Sequence, residues 1–265
     1  MFYAEYPLPD PCLPWAVCLW RFAVERDDPA QFSHIIPPDG MVSISMSCLP
    51  GGGQHGGLTG PSSHAHVVPA VHGMVAAGIR LQPGAAPALL PVAARDLVGQ
   101  MQPLPSSATN DLLAHALATF AADPEQIDDV AASFMALTVG KPVPDPVVAD
   151  AAQRIIADPA NLRVDRLAGA LRISPRQLRR RFLAASGISP KAFAQIYRLR
   201  QACIMALSHP VSAWAHIAAD AGFADQAHFN RHVARTFGVT PRQLIAYLGS
   251  IDHRFASNLQ PTRDV

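Results

Sequence analysis

Two clusters of arginine, amide and imidazole side chains have the residue types needed to bind nucleic acid. The first cluster comprises Arg176, Gln177, Arg179 and Arg180, and the second comprises Gln226, His228, Asn230, Arg231 and Arg235. A guanidinium group can pair with guanine through two hydrogen bonds or neutralise a phosphate, and a glutamine amide can pair with adenine. The two clusters therefore predict surfaces that contact base edges and the phosphate backbone.

Each cluster occupies one face of a predicted helix. In the second helix, Phe229, Val233 and Phe237 recur every four residues and predict a buried stripe opposite the polar side chains. Gly222 marks the end of the helix before it, and Thr240-Pro241 marks the start of the helix after it. Taken alone, this pattern is also typical of an ordinary amphipathic surface helix.

The same pattern occurs about 51 residues upstream, which argues against that simpler interpretation. Residues of the first copy match those of the second in the pairs Leu178 and Phe229, Phe182 and Val233, and Gly187 and Gly238. The preceding helices match at Leu167 and Ile217 with an offset of 50, so the second turn is predicted to be one residue longer. Two copies of helix, short turn and polar-faced helix predict two helix-turn-helix units.

The segment from about Val147 to Leu248 resembles the DNA-binding domain of the AraC/XylS family of bacterial transcription regulators. The resemblance is carried by the GF…Q..F.R…..FG.TP core of the second unit and by YRLRQACIMAL at Tyr197 to Leu207. It implies two helix-turn-helix units joined by a long central helix, whose recognition helices enter successive major grooves. It assigns base contacts to Arg176, Gln177 and Arg179 and to Gln226, His228 and Asn230. Arg180 and Arg231 occupy matching positions of the two repeats and are expected at bases or backbone. Arg235, Lys191 and the N-termini of both polar-faced helices are expected to contact phosphates.

Three positions depart from the family pattern. Arg163 and Ala224 stand where a hydroxyl N-cap is usual, which costs each helix roughly 1 kcal/mol unless Asp165 or Asp225 replaces the cap. Arg172 occupies the position of the usual glycine in the first turn.

Charge is distributed unevenly along the 265 residues, although the net charge is only +1. Residues 145–250 contain 14 Lys+Arg and 6 Asp+Glu, a net charge of +8, whereas residues 1–144 contain 5 and 12, a net charge of −7. This division is typical of a nucleic-acid-binding half attached to a separate regulatory half. The apolar content of 49% indicates a globular protein.

The N-terminal half predicts an α+β fold with strands first and helices after them. Strands are predicted in Cys12 to Glu25 after a helical turn, in Met41 to Met46, and on either side of a turn at His72-Gly73, whereas Pro50 to Ser63 is predicted to be a flexible loop. Two helices are predicted at Asn110 to Ala122 and Pro124 to Val139. Their apolar faces are expected to pack either on the β unit or on a second subunit.

The predicted domain organisation follows from these elements. It comprises a regulatory domain at 1–139, β-rich over 1–84 and helical over 85–139, then a linker at 140–146, an all-α DNA-binding domain at 147–250 and a tail at 251–265. PPDGMVSISM and GIRLQPGAAPALL in the first domain resemble a sensor-like domain found ahead of such DNA-binding domains. The resemblance implies double-stranded promoter DNA as a partner, with RNA polymerase, a small-molecule effector and a second subunit as further candidates.

Two other kinds of site would conflict with this interpretation. His55, His64, His66 and His72 lie near Cys48, but the chain has no Glu between Glu25 and Glu125 to complete a cupin-type metal motif, so no metal or cofactor is predicted. A covalent sensor or enzyme would need a reactive thiol of low pKa among Cys12, Cys18 and Cys48, and no basic neighbours are evident. The sequence predicts a protein that is not an enzyme, and the lack of a basic leader or a long apolar run predicts a cytoplasmic one without membrane contact.

Overall fold

The computed structural model describes residues 1–208 and 214–254, without the side chains of His253 and Arg254, and it has the predicted α+β fold. The strands are β1 (Phe2–Tyr6), β2 (Ala16–Ala23), β3 (Gln31–Ile36), β4 (Ser43–Cys48), β5 (Gln54–Thr59), β6 (His66–Val71), β7 (Val75–Leu81), β8 (Met101–Pro103) and β9 (Asp252–Arg254). The helices are α1 (Ala85–Leu89), α2 (Ala108–Ala122), α3 (Ile127–Thr138), α4 (Pro146–Ala157), α5 (Val164–Ala170), α6 (Pro175–Ser186), α7 (Pro190–Ser208), α8 (Trp214–Asp220), α9 (Gln226–Phe237) and α10 (Pro241–Gly249). Short 3-10 helices occur at Asp10–Cys12 and Ala94–Leu97.

Seven of the strands form one sheet in the order β8-β5-β4-β7-β2-β1-β9, and β3 pairs with β6 separately. The strand prediction at Cys12 to Glu25 is confirmed by β2, and the strands around His72-Gly73 are confirmed by β6 and β7. The flexible loop predicted for Pro50 to Ser63 is wrong, because β5 lies within it and pairs with both β4 and β8. Two rows of backbone hydrogen bonds and the full burial of Leu58 outweigh the conformational entropy that the glycines of β5 lose on folding.

The two faces of the sheet are covered differently. Ile44 and Met46 of β4 point into a core that includes Leu117 and Phe120 of α2 and Phe134 of α3. The alternation predicted at Met41 to Met46 therefore exists, and the apolar faces of α2 and α3 pack on the β unit of the same chain. Ser43, Ser45 and Ser47 alternate with these apolar residues and face the opposite side of the sheet.

The C-terminal helices form two cores that share α7. The first core contains Leu178 and Phe182 of α6 together with Phe193 of α7. The second core contains Phe229 and Val233 of α9 together with Ala202 and other residues of α7. The long α7 therefore joins two helical units, as the sequence predicts.

The two halves of the chain are in contact in this arrangement. The Tyr247 hydroxyl of α10 lies 2.5 Å from His34 Nδ1 and accepts a hydrogen bond of 3.0 Å from the backbone N–H of Ile35. The backbone N–H of Ala65 donates to the carbonyl of Thr236 at the end of α9, at 2.8 Å. The strand β9, within the predicted tail, adds to β1 in parallel.

A cavity of about 510 Å³ lies between these halves. The serine face of β4 contributes one wall, and α7 contributes the other through residues that include Ile196, Ile204 and Leu207. The cavity thus lies between the N-terminal sheet and the helix that joins the two helical units.

Candidate nucleic-acid interface

The first polar-faced helix, α6, has well-defined ends. Ser174 is its N-cap and accepts a hydrogen bond from the Gln177 backbone N–H at 3.2 Å, while Gln177 Oε1 accepts from the Ser174 N–H at 2.9 Å. This reciprocal pair is a capping box, and Pro175 fills the first helical position. Gly187 ends the helix with a φ of 76°, a conformation that favours glycine.

The second polar-faced helix, α9, is built in the same way with a different cap. Asp225 accepts a hydrogen bond from the His228 N–H at 2.6 Å, so it replaces the hydroxyl missing at Ala224. Gly238 ends the helix with a φ of 71°. The corresponding replacement in the first unit does not occur, because Arg163 is the N-cap residue of α5 and makes no side-chain cap, and Asp165 lies inside the first turn.

The inner faces of both helices are fixed by aromatic contacts. The rings of Phe182 and Phe193 meet edge to face with centroids 5.4 Å apart. The rings of Phe229 and Trp214 stack with centroids 5.8 Å apart. Burial of these rings determines which residues of α6 and α9 face away from the core.

All four predicted contact residues of α6 lie on its outer face and are exposed, namely Arg176, Gln177, Arg179 and Arg180. Arg181 is the next residue of the same arginine run, but it turns inward and binds Asp145 through two hydrogen bonds of 2.7 and 2.6 Å. These bonds hold the pKa of Asp145 below its ordinary value. Arg181 therefore connects α6 to the N-cap of α4, a role that its place in an arginine run did not indicate.

Gln177 has a role that the sequence analysis did not assign to it. Its Oε1 already accepts one hydrogen bond in the capping box, so one lone pair of that oxygen and both donors of the NH₂ group remain for a base. A two-point contact with adenine would use this same oxygen, so the cap restricts the directions in which the Gln177 amide can meet a base.

The predicted residues of α9 are also brought together. Gln226, Asn230, Arg231 and Arg235 are exposed, whereas His228 is half-buried. The His228 ring meets the Phe223 ring edge to face at 5.5 Å, and so does the ring of His232 at 5.6 Å. Burial, followed by the nearby His228, lowers the pKa of His232 below its ordinary value.

The two turns have matching backbone hydrogen bonds. In the first turn, Arg172 N–H donates to Gly169 O and Ile173 N–H donates to Ala168 O, at 3.1 and 3.0 Å. In the second turn, the corresponding bonds run from Gly222 to Ala219 and from Phe223 to Ala218, at 2.9 and 2.8 Å. The segment between α8 and α9 is one residue longer than the segment between α5 and α6, as the offsets in the sequence predict.

The central helix also anchors the first unit. Arg198 of α7 donates to the carbonyls of Pro159 and Ala160, at 3.1 and 2.6 Å. Gly222 of the second turn approaches the same Ala160, since a Cβ on Gly222 would lie 2.8 Å from the Ala160 Cβ. The loop after α4 is therefore packed against both α7 and the second turn.

Comparisons with known proteins match this region. A family model described as a helix-turn-helix domain matches residues 167–246. The HTH-type transcriptional regulator MtrA of Neisseria gonorrhoeae is 32% identical over 92 residues, which are 34% of this chain and 30% of that protein. The regulatory protein ada of Salmonella typhimurium is 34% identical over 93 residues, which are 34% of this chain and 25% of that protein.

This chain is also similar to solved structures. An AraC-type regulator from Chromobacterium violaceum is 27% identical and covers 38% of this chain and 90% of its own, with a TM-score of 0.36. ToxT from Vibrio cholerae is 11% identical and covers 93% of this chain and 99% of its own, with a TM-score of 0.48. The C-terminal region is an AraC-type helix-turn-helix domain. The chain spans less than a third of the length of the two curated relatives, at 30% and 25%.

The AraC-type domain presents its exposed arginines with few internal partners. On α6, Arg179 approaches Asp165 at 4.0 Å, a distance at the limit of an ion pair, and both side chains are largely exposed. Such an exposed pair contributes little to stability, so it leaves Arg179 available to an anionic ligand. Residues 145–250 carry a net charge of +8, which favours binding to the negatively charged backbone of DNA.

Two further findings concern sites outside the AraC-type domain. Within residues 1–208 and 214–254, no group of three or more His, Cys, Asp or Glu side chains is arranged to hold a metal ion. In that same part of the chain, no helix has the length and hydropathy needed to span a bilayer.

Proposed function

We propose that this protein is a sequence-specific DNA-binding transcription regulator of the AraC/XylS type. The observation that carries the proposal is the duplication of a capped, polar-faced helix in two units that share α7. Two recognition helices held in this way are expected to enter successive major grooves, roughly 34 Å apart on one face of the DNA. The names of the regulators MtrA and ada support the same function.

We assign base contacts to the exposed polar side chains of the two recognition helices and backbone contacts to Arg235 and Lys191. The base-contacting residues are Arg176, Gln177, Arg179, Gln226, His228 and Asn230, with Arg180 and Arg231 at bases or backbone. In this assignment Gln177 contacts a base with the same amide whose oxygen closes the capping box.

We further propose that the N-terminal domain at 1–139 controls DNA binding by taking up a small-molecule effector, with RNA polymerase as the partner at the promoter. The linker at 140–146 and the DNA-binding domain at 147–250 complete this division of the chain. Control through a homodimer is the alternative. A regulator that acts on bacterial promoters is expected in the cytoplasm. The cavity between the sheet and α7 supports effector control, because it lies against the DNA-binding domain.

The competing function is an enzyme or a covalent sensor tethered to DNA. It would require a reactive thiolate in the N-terminal domain. Burial raises the pKa of Cys18 to about 11 and raises the pKa of both Cys12 and Cys48 above the ordinary value. Raised pKa values keep these thiols protonated at neutral pH, which favours a regulator without catalytic activity.

The first test is the binding of the full chain to DNA from its own upstream region and to a scrambled sequence, across a salt series. Selective binding near physiological salt is the expected result, with a footprint that spans two major grooves. Equal affinity for both DNAs, lost steeply with salt, would contradict sequence-specific binding to this region.

The assignment of contact residues is tested by Arg231→Ala. We expect specific binding to weaken by about 1–3 kcal/mol, because a side chain that contacts a base or phosphate is lost. Arg95→Ala is the matched control, since the side chain of Arg95 is 83% exposed on the N-terminal domain. Unchanged affinity of Arg231→Ala for the specific site would remove Arg231 from the contact surface.

A further inference from the structure

The cavity between the N-terminal sheet and α7 has the size of a small-molecule site. Its volume of about 510 Å³ falls within the range of roughly 300–1,000 Å³ that is common for such sites. Ile204 and Leu207 of α7 and Phe237 of α9 line it on the side of the AraC-type domain. A molecule inside the cavity would therefore touch both halves of the chain.

Most of the cavity lining is apolar. Trp20, which is part of this lining, fits only because the neighbouring residue 78 is a glycine. Trp20 and Phe22 of β2 and Met74 line the N-terminal side. A Cβ on Gly78 would come within 2.5 Å of the Trp20 ring, so the glycine admits the indole directly against β7. A largely apolar molecule would gain free energy by leaving water for this site.

A row of hydroxyl groups crosses the apolar lining. Ser43, Ser45 and Ser47 alternate along β4, which places neighbouring hydroxyl groups about 7 Å apart on the cavity side. Ser45 makes a long contact of 3.4 Å to the carbonyl of Gly57. Across the described residues, Ser43 and Ser47 make no side-chain hydrogen bond, so their hydroxyls are available to a ligand.

The charged side chains at the cavity neutralise one another. Arg80 binds Glu5 at 2.7 Å and Asp39 at 2.6 Å. Arg200 of α7 lies 3.6 Å from the same Glu5 oxygen. Arg80, Arg200 and Asp39 line the cavity, and Glu5 pairs with both arginines without lining it. Two carboxylates therefore balance the two arginines, and no arginine charge is left over to offset the desolvation of an ionised ligand.

We propose that this cavity binds a neutral, largely apolar small molecule with hydroxyl or carbonyl groups, and that the bound molecule holds the N-terminal domain against α7. The inference rests on the effector control proposed above and adds the location of the site and the chemical class of its ligand. The apolar walls select the hydrocarbon part, the serines bind the polar groups, and the balanced charges select against an ionised ligand.

The ligand class can be tested with two fluorescent dyes that share a ring system. N-phenyl-1-naphthylamine is neutral, and 8-anilinonaphthalene-1-sulfonate carries the same rings with a sulfonate group. We expect the full chain to bind the neutral dye at least tenfold more tightly. Equal or tighter binding of the sulfonate would overturn the proposed class.

The location of the site can be tested by filling the cavity. Ser45→Phe adds a ring from the β4 wall and Ile204→Trp adds one from the α7 wall, and each is expected to weaken binding of the neutral dye at least tenfold. Ser106→Phe adds the same ring at an exposed position before α2 and should change binding less than twofold. Full dye affinity in both filled variants would overturn the site.

Hydrogen exchange of the unmodified protein gives a test that needs no variant. With the neutral dye bound, we expect slower exchange in both β4 and α7 and no change in α3. Slower exchange confined to one domain would overturn the bridging role. These measurements need no DNA, so the two proposals can fail separately. Dye binding as expected without binding to specific DNA would contradict only the regulator function. Binding to specific DNA without the expected dye binding would contradict only this inference.

Discussion

Arg172 has a left-handed backbone conformation, which is unfavourable for any residue with a Cβ atom. Its φ is 56°, and it is the one non-glycine residue with a positive φ in the described part of the chain. The equivalent residue of the second turn is Gly222, with a φ of 77°. An L-residue in this left-handed region costs roughly 1–2 kcal/mol, so the first turn stores strain that the second avoids.

We expect Arg172→Gly to raise the free energy of unfolding by roughly 0.5–1 kcal/mol, because relief of strain outweighs the added entropy of a glycine in the unfolded chain. Urea unfolding measures the change. The reverse substitution at the equivalent site, Gly222→Ala, should destabilise, since its Cβ would lie 2.8 Å from Ala160. An unchanged or lower midpoint for Arg172→Gly would mean that its long side chain provides compensating contacts.

His232 makes stability depend on pH in the mildly acidic range. Burial and the neighbouring His228 lower its pKa in the folded protein, and Arg235 and Arg198 act in the same direction. As the pH falls below about 6.5, the unfolded chain takes up a proton before the folded chain does, so the free energy of unfolding decreases. Above that pH, His232 is neutral in both states and the effect is absent.

We therefore expect His232→Gln to lose less stability than the unmodified protein when the pH is lowered from 7.5 to 5.5, as measured by urea unfolding at both values. His216→Gln is the matched control, because His216 is exposed on α8. If His232→Gln and the unmodified protein lose the same stability, the folded-state pKa of His232 is not lowered enough to matter.

Residue types and spacing predict the two polar-faced helices because the determinants of their ends are local. α6 has a hydroxyl N-cap and a proline at its first position, α9 has a carboxylate N-cap, and each helix ends at a glycine. These signals act within a few residues, so the limits of both helices follow from the sequence. The inward turn of Arg181 toward Asp145 is different, because the two residues are 36 positions apart. No local pattern distinguishes Arg181 from the exposed arginines beside it.

At the scale of elements, the two recognition helices end in the same way but in different surroundings. Gly187 and Gly238 have similar φ values, 76° and 71°. A Cβ on Gly187 would lie 2.6 Å from the Ala94 carbonyl of the N-terminal domain, whereas a Cβ on Gly238 meets nothing within 4 Å. The end of α6 is therefore packed against the N-terminal domain through a contact that only glycine permits.

We expect Gly187→Ala to destabilise the protein clearly more than Gly238→Ala. Both variants pay the left-handed backbone cost of roughly 1 kcal/mol, and only Gly187→Ala adds a clash with another domain. Thermal unfolding of the two variants side by side provides the comparison. If both variants lose the same amount of stability, the backbone around Ala94 can move aside for the added Cβ at no cost in free energy.

The helices of the C-terminal region can be predicted from the periodicity of apolar residues in the sequence, but several strands cannot. The strand β5 was missed because its glycines are typical of a loop, and it forms only through pairing with β4 and β8. The strand β1 pairs with β2 over Phe2 to Tyr6 and with β9 from the other end of the chain. Pairing of this kind depends on partners that are distant in sequence, and a local window contains no information about them.

At the scale of the whole molecule, the domain contacts and the cavity could not be derived from the sequence. The hydrogen bond between His34 and Tyr247 joins residues 213 positions apart. Serine and apolar residues alternate along β4, and this alternation correctly predicts a strand with two different faces. The sequence alone suggests that the serine face is exposed to solvent. The structure shows that α7 lies over this face, so the serines line a cavity.

The ionic cluster at this domain contact provides the final prediction. Glu5 has a fully buried side chain, and Arg80 and Arg200 both approach its Oε1 atom. Burial alone would raise the pKa of Glu5, but the two arginines outweigh burial and hold its pKa below the ordinary value. The carboxylate therefore stabilises the fold above the unfolded pKa, and this contribution is lost as the pH falls through the folded pKa.

We expect Glu5→Gln to lower the free energy of unfolding by roughly 3 kcal/mol or more at pH 7, because one negative charge of a balanced buried cluster is lost. Glu25→Gln is the matched control, since Glu25 is exposed. Calorimetry should also show whether the two domains separate, because Arg200 belongs to α7 and the carboxylate to β1. A second transition in Glu5→Gln alone would identify the cluster as the link between the domains, whereas a single transition with unchanged stability would contradict the prediction.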